Sequence, residues 1–158
     1  MRRAFSLFSL SCLLAFCVFA PAWAQEEKKE ASDPAAEYQS VDLAALVPAS
    51  RMKEGQGRAI FAPRAVRFQA RLAQKPKPQK SDYLKEVMGM MGITPLPEVR
   101  QRIALEYGGD KPLAAYVEVK VAARIDKELK VGDNRTFYAF HVYNNRFGPA
   151  FVITSFGD

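Results

Sequence analysis

The chain has 158 residues, with 23 lysines and arginines against 17 acidic residues, a formal charge of +6, two cysteines and one histidine. That length suits one ordinary domain, and a hydrophobic share of 49% is that of a chain with a core to bury, so disorder throughout is excluded. A single histidine rules out a metal site built from several imidazoles.

The amino terminus is built for export. Met1–Arg3 is a short basic start, Ala4–Ala20 an almost unbroken apolar run, and Ala22, Trp23 and Ala24 form a small-x-small cleavage signal. Residues 1–24 are therefore expected to be a secretory signal peptide, and Pro21 with the Ala22/Ala24 spacing favours cleavage over retention as a transmembrane anchor. The expected location is periplasmic or secreted. Cys17 could accept a lipid, but Phe16 stands before it where a small residue is needed. Cleavage after Ala24 would discard Cys12 and Cys17, and no cysteine follows them. Disulfides, thiolate zinc sites, thiol redox chemistry and cysteine nucleophiles are excluded together.

Residues 25–39 read as a flexible acidic lead and 40–158 as a single α+β domain. Ser40 is placed to cap a short helix carrying Val41, Leu43, Leu46 and Val47, ended by Pro48. A Gly55/Gly57 loop follows. Ile60, Ala62, Val66, Phe68, Ala70 and Leu72 then alternate with Arg67, Gln69 and Arg71, the period of a half-buried strand. Residues 74–80, with Lys75-Pro76-Lys77-Pro78, read as a stiff connector.

Ser81 predicts the start of a helix over Asp82–Met91, whose Leu84, Val87, Met88 and Met91 share one face. Thr94–Pro97 reads as a bend, and a second helix is expected from Pro97 to Tyr107, with Val99, Ile103 and Tyr107 on one side. From Leu113 the strongest alternation in the chain, Val117, Val119, Val121, Ala123 and Ile125, predicts a long strand. Two more strands are expected at Thr136–Tyr143 and Pro149–Phe156. The element order suits an α+β fold with a four- to five-stranded antiparallel curved sheet and two or three helices, cystatin-like or NTF2-like, or a partly closed oligonucleotide/oligosaccharide-binding barrel.

Charge singles out one stretch: residues 51–80 hold nine basic groups against one acid, Glu54. Arg64, Arg67, Arg71, Lys75 and Lys77 form the candidate site, a basic strand face that attracts an anionic partner. In an exported compartment that partner is an anionic envelope component or an envelope protein, and nucleic acid is disfavoured. The neutral reading of the same residues is a charged strand protected from edge pairing.

A second candidate surface is aromatic, since seven aromatic residues fall in the last 22 positions. Tyr138, His141 and Tyr143 are the candidate lining of a small ligand-binding or enzymatic pocket, and a homodimer or larger assembly built through this sheet is the structural alternative. No serine elbow, phosphate-binding glycine loop, calcium loop, cysteine ligand set or dinucleotide fingerprint is present. The expectation is a non-catalytic binding or accessory protein with no catalytic residue, no metal ligand and no cofactor.

Overall fold

A computed structural model of the protein describes residues 37–109 and 111–158. The export signal and residues 25–36 of the acidic lead lie outside the described residues. The elements are β1 (Gln39–Ser40), α1 (Leu43–Ala49), β2 (Ala59–Pro78), α2 (Asp82–Met90), β3 (Val99–Glu106), β4 (Leu113–Glu118), α3 (Val119–Glu128), β5 (Asn134–Asn145) and β6 (Gly148–Gly157).

The six strands lie in the order β1-β2-β3-β4-β6-β5, and β2 also pairs with β5, which closes the last five strands into a ring. The β1–β2 and β4–β6 pairs are parallel and the others antiparallel. The α+β class stands, but the expected antiparallel sheet of four or five strands is a mixed sheet of six. The reason is a crossover: α3 carries the chain away from β4, so β6 takes the place beside it, running the same way.

β2 is the backbone of the ring. Val66, Phe68, Ala70 and Leu72 are buried, and the residues between them face outward. From Ala59 to Arg71 the strand pairs with β5, and from Arg71 to Pro78 with β3. The Lys/Pro stretch is thus the end of a strand, not a connector. Pro76 falls in the register shift between Gln74 and Lys77, a bulge where its missing N–H breaks no ladder bond.

Two more element assignments change. Residues 99–106 are strand, not helix, because Val99, Ile103 and Leu105 are buried while Arg100, Arg102 and Glu106 are exposed. Val99 and Ile103 are four apart, a spacing that shares a face in either structure; Leu105, two beyond Ile103, fits only the strand. The long strand expected over Leu113–Ile125 ends at Glu118. Beyond it Val121, Ala122 and Ile125 are buried on the inner face of α3 and Leu129 is buried just past its end, with Arg124 bonded to Glu128 one turn on. Ala122, which strand alternation would place in water, decides it.

Helix starts also moved. α1 is capped by Asp42, whose carboxylate accepts from the Ala44 N–H at 2.9 Å, while Ser40 pairs with β2. Tyr38, expected in the flexible lead, packs edge-on to Tyr138 at 5.2 Å. At α2, Ser81 stands at the cap position but donates to the Val99 carbonyl at 2.7 Å, tying the helix start to β3.

Two cores result. Inside the ring, Phe68, Phe137 and Phe151 stack among Leu72, Ile103, Leu105 and Ile153, and α1 and α3 add Leu43, Val47, Val121 and Ile125. Against Val99, Val142, Tyr143, Ala150 and Val152, α2 packs Leu84, Val87 and Met88 in a second core. Met88, whose thioether suits copper(I), is buried there as packing.

Gly148 joins the two ends of this construction. Its φ is +115°, and a Cβ there would lie 3.2 Å from Val47 Cγ1 and 3.3 Å from the Val47 carbonyl oxygen. Gly148→Val is expected to cost about 1–3 kcal/mol from backbone strain and displacement of α1. A thermal melt with an unchanged midpoint would refute this account of the turn.

Candidate binding site

β4 and β6 are in register at Tyr116 with Val152 and at Val117 with Ile153. Upstream no pair joins them, and Pro149 has no N–H to extend the ladder. A cavity of about 700 Å³ occupies this gap. One wall is Leu113–Tyr116; the other is Pro149 and Ala150 with the β5–β6 turn, Asn145–Phe147. Arg51 beyond α1, Arg102 on β3 and Lys111 in the β3–β4 loop complete it.

A second cavity of about 470 Å³ is bounded by Lys53, Glu54, Gly55, Gly57 and Arg58 and shares Tyr116, Tyr143, Asn145, Arg146 and Phe147 with the first. The shared wall is well fixed. Tyr143 is buried, with its hydroxyl 3.4 Å from that of half-buried Tyr116 and its ring edge-on to Tyr83 at 5.3 Å. Over Tyr83 lies the Arg58 guanidinium, 3.9 Å from the ring centroid. Burial first, and the Tyr116 hydroxyl second, push the Tyr143 phenol well above the ordinary tyrosine range, so it stays a protonated donor.

The turn tip contributes both an aromatic ring and a charge. Phe147 is 70% exposed, and the Arg146 guanidinium lies 4.6 Å from its ring centroid. Among the described residues, Arg51, Arg58, Arg102 and Arg146 are in no ion pair. These cations therefore keep their charge for a ligand.

The sequence-derived candidates are distributed differently. Arg64, Arg67, Arg71, Lys75 and Lys77 do follow one another along β2, but Arg71 is paired with Glu106 at 3.9 Å and Lys75 with Asp126 at 3.6 Å. Lys75 also donates to the Asp126 carbonyl. Arg64 lies over Phe61, 5.3 Å from the ring centroid. None of the five lines either cavity. Tyr138, His141 and Tyr143 do not share one: Tyr143 lines both cavities, Tyr138 packs on Tyr38, and His141 is enclosed by Phe61 and Phe151 at 4.8 and 5.1 Å.

Arg102, Arg146, Tyr116 and Phe147 went unnominated in the sequence. Arg102 was hidden by the helical assignment of its segment. Phe147 did carry a signal, a large aromatic beside an arginine inside a turn, where no core can use it.

Comparison with protein-family models, with curated proteins and with solved structures finds no match to this chain.

His141 is 5% exposed, and its Nε2 is 2.7 Å from the Asn144 side-chain oxygen. Burial lowers its pKa, the Asn144 hydrogen bond opposes that, and Arg64 adds to it. A base depressed in the fold is protonated first in the unfolded chain. Its contribution is thus intact above the ordinary value of about 6.5 and is lost as pH falls below it. Thermal midpoints should drop from pH 7 towards pH 5, and His141→Gln, which cannot titrate, should flatten that drop. Equal slopes in both proteins would assign the acid sensitivity elsewhere.

Proposed function

We propose that the protein is an exported, non-catalytic binding module that captures an anionic component of the cell envelope, and that the capture site is the cavity between β4 and the β5–β6 turn. The observation that carries this reading is the set of arginines around that cavity, Arg51, Arg102 and Arg146, each without a carboxylate partner among the described residues. A concave site with fixed hydrogen-bond donors and unneutralised guanidinium groups favours carboxylate or phosphate ligands.

The ring of strands supports the same placement. We infer a partly closed barrel of the oligonucleotide/oligosaccharide-binding kind, with β2 to β6 as its five strands. In that architecture ligands lie across the second and third barrel strands, between the first and last hairpin loops. Here those strands are β3 and β4, which carry Arg102 and Tyr116, and the last loop is the Arg146–Phe147 turn.

The strand face of β2 is the competing surface, and a paired comparison separates the two. Near an anionic surface each basic group contributes about 1 kcal/mol. Arg102→Ser combined with Arg146→Ser should therefore weaken binding to lipopolysaccharide or phosphatidylglycerol vesicles by roughly thirtyfold at low salt. Arg67→Ser with Arg71→Ser should change it little, because neither residue lines the cavity. The reverse ranking would return the site to the strand face, and no effect from either pair would remove anion capture as the function.

A further inference from the structure

The second cavity extends the first and is not a repeat of it. Both are lined by Tyr116, Tyr143, Asn145, Arg146 and Phe147, so the two cavities adjoin. Cations stand at both ends: Arg51, Arg102 and Lys111 around the first cavity, Lys53 and Arg58 around the second, with Arg146 between. Among the described lining residues of the two, Glu54 is the single acid. A ligand with one charge would leave one end uncompensated, whereas a chain with a charge on successive units would engage both.

The shared wall defines what lies between those charges. The Tyr116 and Tyr143 hydroxyls face each other, and one proton suffices for that contact, which leaves a second O–H to donate outward. The Asn145 side-chain oxygen accepts from the Phe147 N–H at 2.7 Å, so its amide hydrogens remain for a ligand. Hydroxyl and amide donors at the midpoint suit a partner rich in oxygen acceptors. A nucleic acid strand would need several stacking platforms. Among the described lining residues only Phe147 is a largely exposed ring; Tyr107 and Tyr116 are half-buried and Tyr143 is buried.

We propose that the two cavities are successive subsites for one linear acidic oligosaccharide, with Arg102 reading a charge in the first, Arg58 a charge in the second, and the Tyr116/Tyr143/Asn145 donors a sugar ring between them. This rests on the reading of the first cavity as an anion site.

The test is titration of the purified protein with oligogalacturonates and heparin-derived oligosaccharides of increasing length, beside neutral cello-oligosaccharides and single-stranded oligo(dT). Affinity for the acidic series should rise by at least about tenfold from the monosaccharide to the length that spans both subsites, then level off. Arg58→Ser should remove the length dependence, so that the spanning oligomer gains no affinity over the shortest acidic ligand; Arg102→Ser should weaken binding at every length. Both arginines are exposed, so melting curves should match the wild type. A flat length series, tighter binding of oligo(dT) at equal charge, equal binding of the neutral series, or no binding of either acidic series would overturn the two-subsite proposal. The anion-capture reading would survive those results if Arg102→Ser still weakened vesicle or lipopolysaccharide binding, and would fall only if it did not.

Discussion

One strand has to serve two neighbours for this fold to exist. β2 pairs with β5 along its first half and with β3 along its second, and the irregular register from Leu72 to Lys77 lets it pass from one partner to the other. Without that bend the sheet would stay open, leaving β3 or β5 as an edge with a row of unpaired backbone groups. Closing the ring removes those edges and gives Phe68, Phe137 and Phe151 a common interior. The prolines at 76 and 78 are compatible with this because they sit where the ladder is already irregular or ending.

Closure has a cost at the opposite side of the ring. β4 and β6 meet there in parallel, after the α3 crossover, and they share a short register at Tyr116–Val152 and Val117–Ile153. The first cavity is the unpaired remainder of that seam, so it arises from strand geometry and needs no long inserted loop. The chain's charge is redistributed by the same geometry. Basic residues crowded between 51 and 80 separate into a β2 row, where Arg71 and Lys75 meet carboxylates, and a 51–58 segment that joins Arg102, Lys111 and Arg146 around the seam. Charge density along the sequence and charge available in space are therefore different quantities here.

How much of this could be read from residues alone depended on spacing. The alternation from Val66 to Leu72 and the apolar run at 136–143 fix a face by twos and were legible as strands. Val99/Ile103 and Val121/Ile125 are pairs four apart, which satisfy both periods, and there the choice between helix and strand turned on Leu105 and Ala122. The strand at 99–106 bears directly on the site, because a helix there would scatter Arg102 away from Tyr116, whereas the strand register places them opposite each other. No local pattern announces that β2 will reach β5, or that the 53–58 loop will lie beside the 145–147 turn; those contacts are set by ring closure.

The groove floor belongs to the second core more than to the first. Tyr143 is buried among Leu84, Val87, Val99 and Val152, and the α2 residue Tyr83 meets its ring edge-on and carries the Arg58 guanidinium over its own ring. The helix that looks like a cover for the outside of the strand ring thus orients a cation and a phenol at the cavities, through aromatic contacts whose geometry is narrow. Phe147 and Arg146, by contrast, are held from the ring itself, through the β5–β6 turn and the Gly148 contact with α1. The two ends of the groove are consequently anchored to different packing units. A ligand spanning both would bridge the barrel and the α2 layer, and its binding would tighten the contact between them, a linkage that couples occupancy of the groove to the stability of the whole domain.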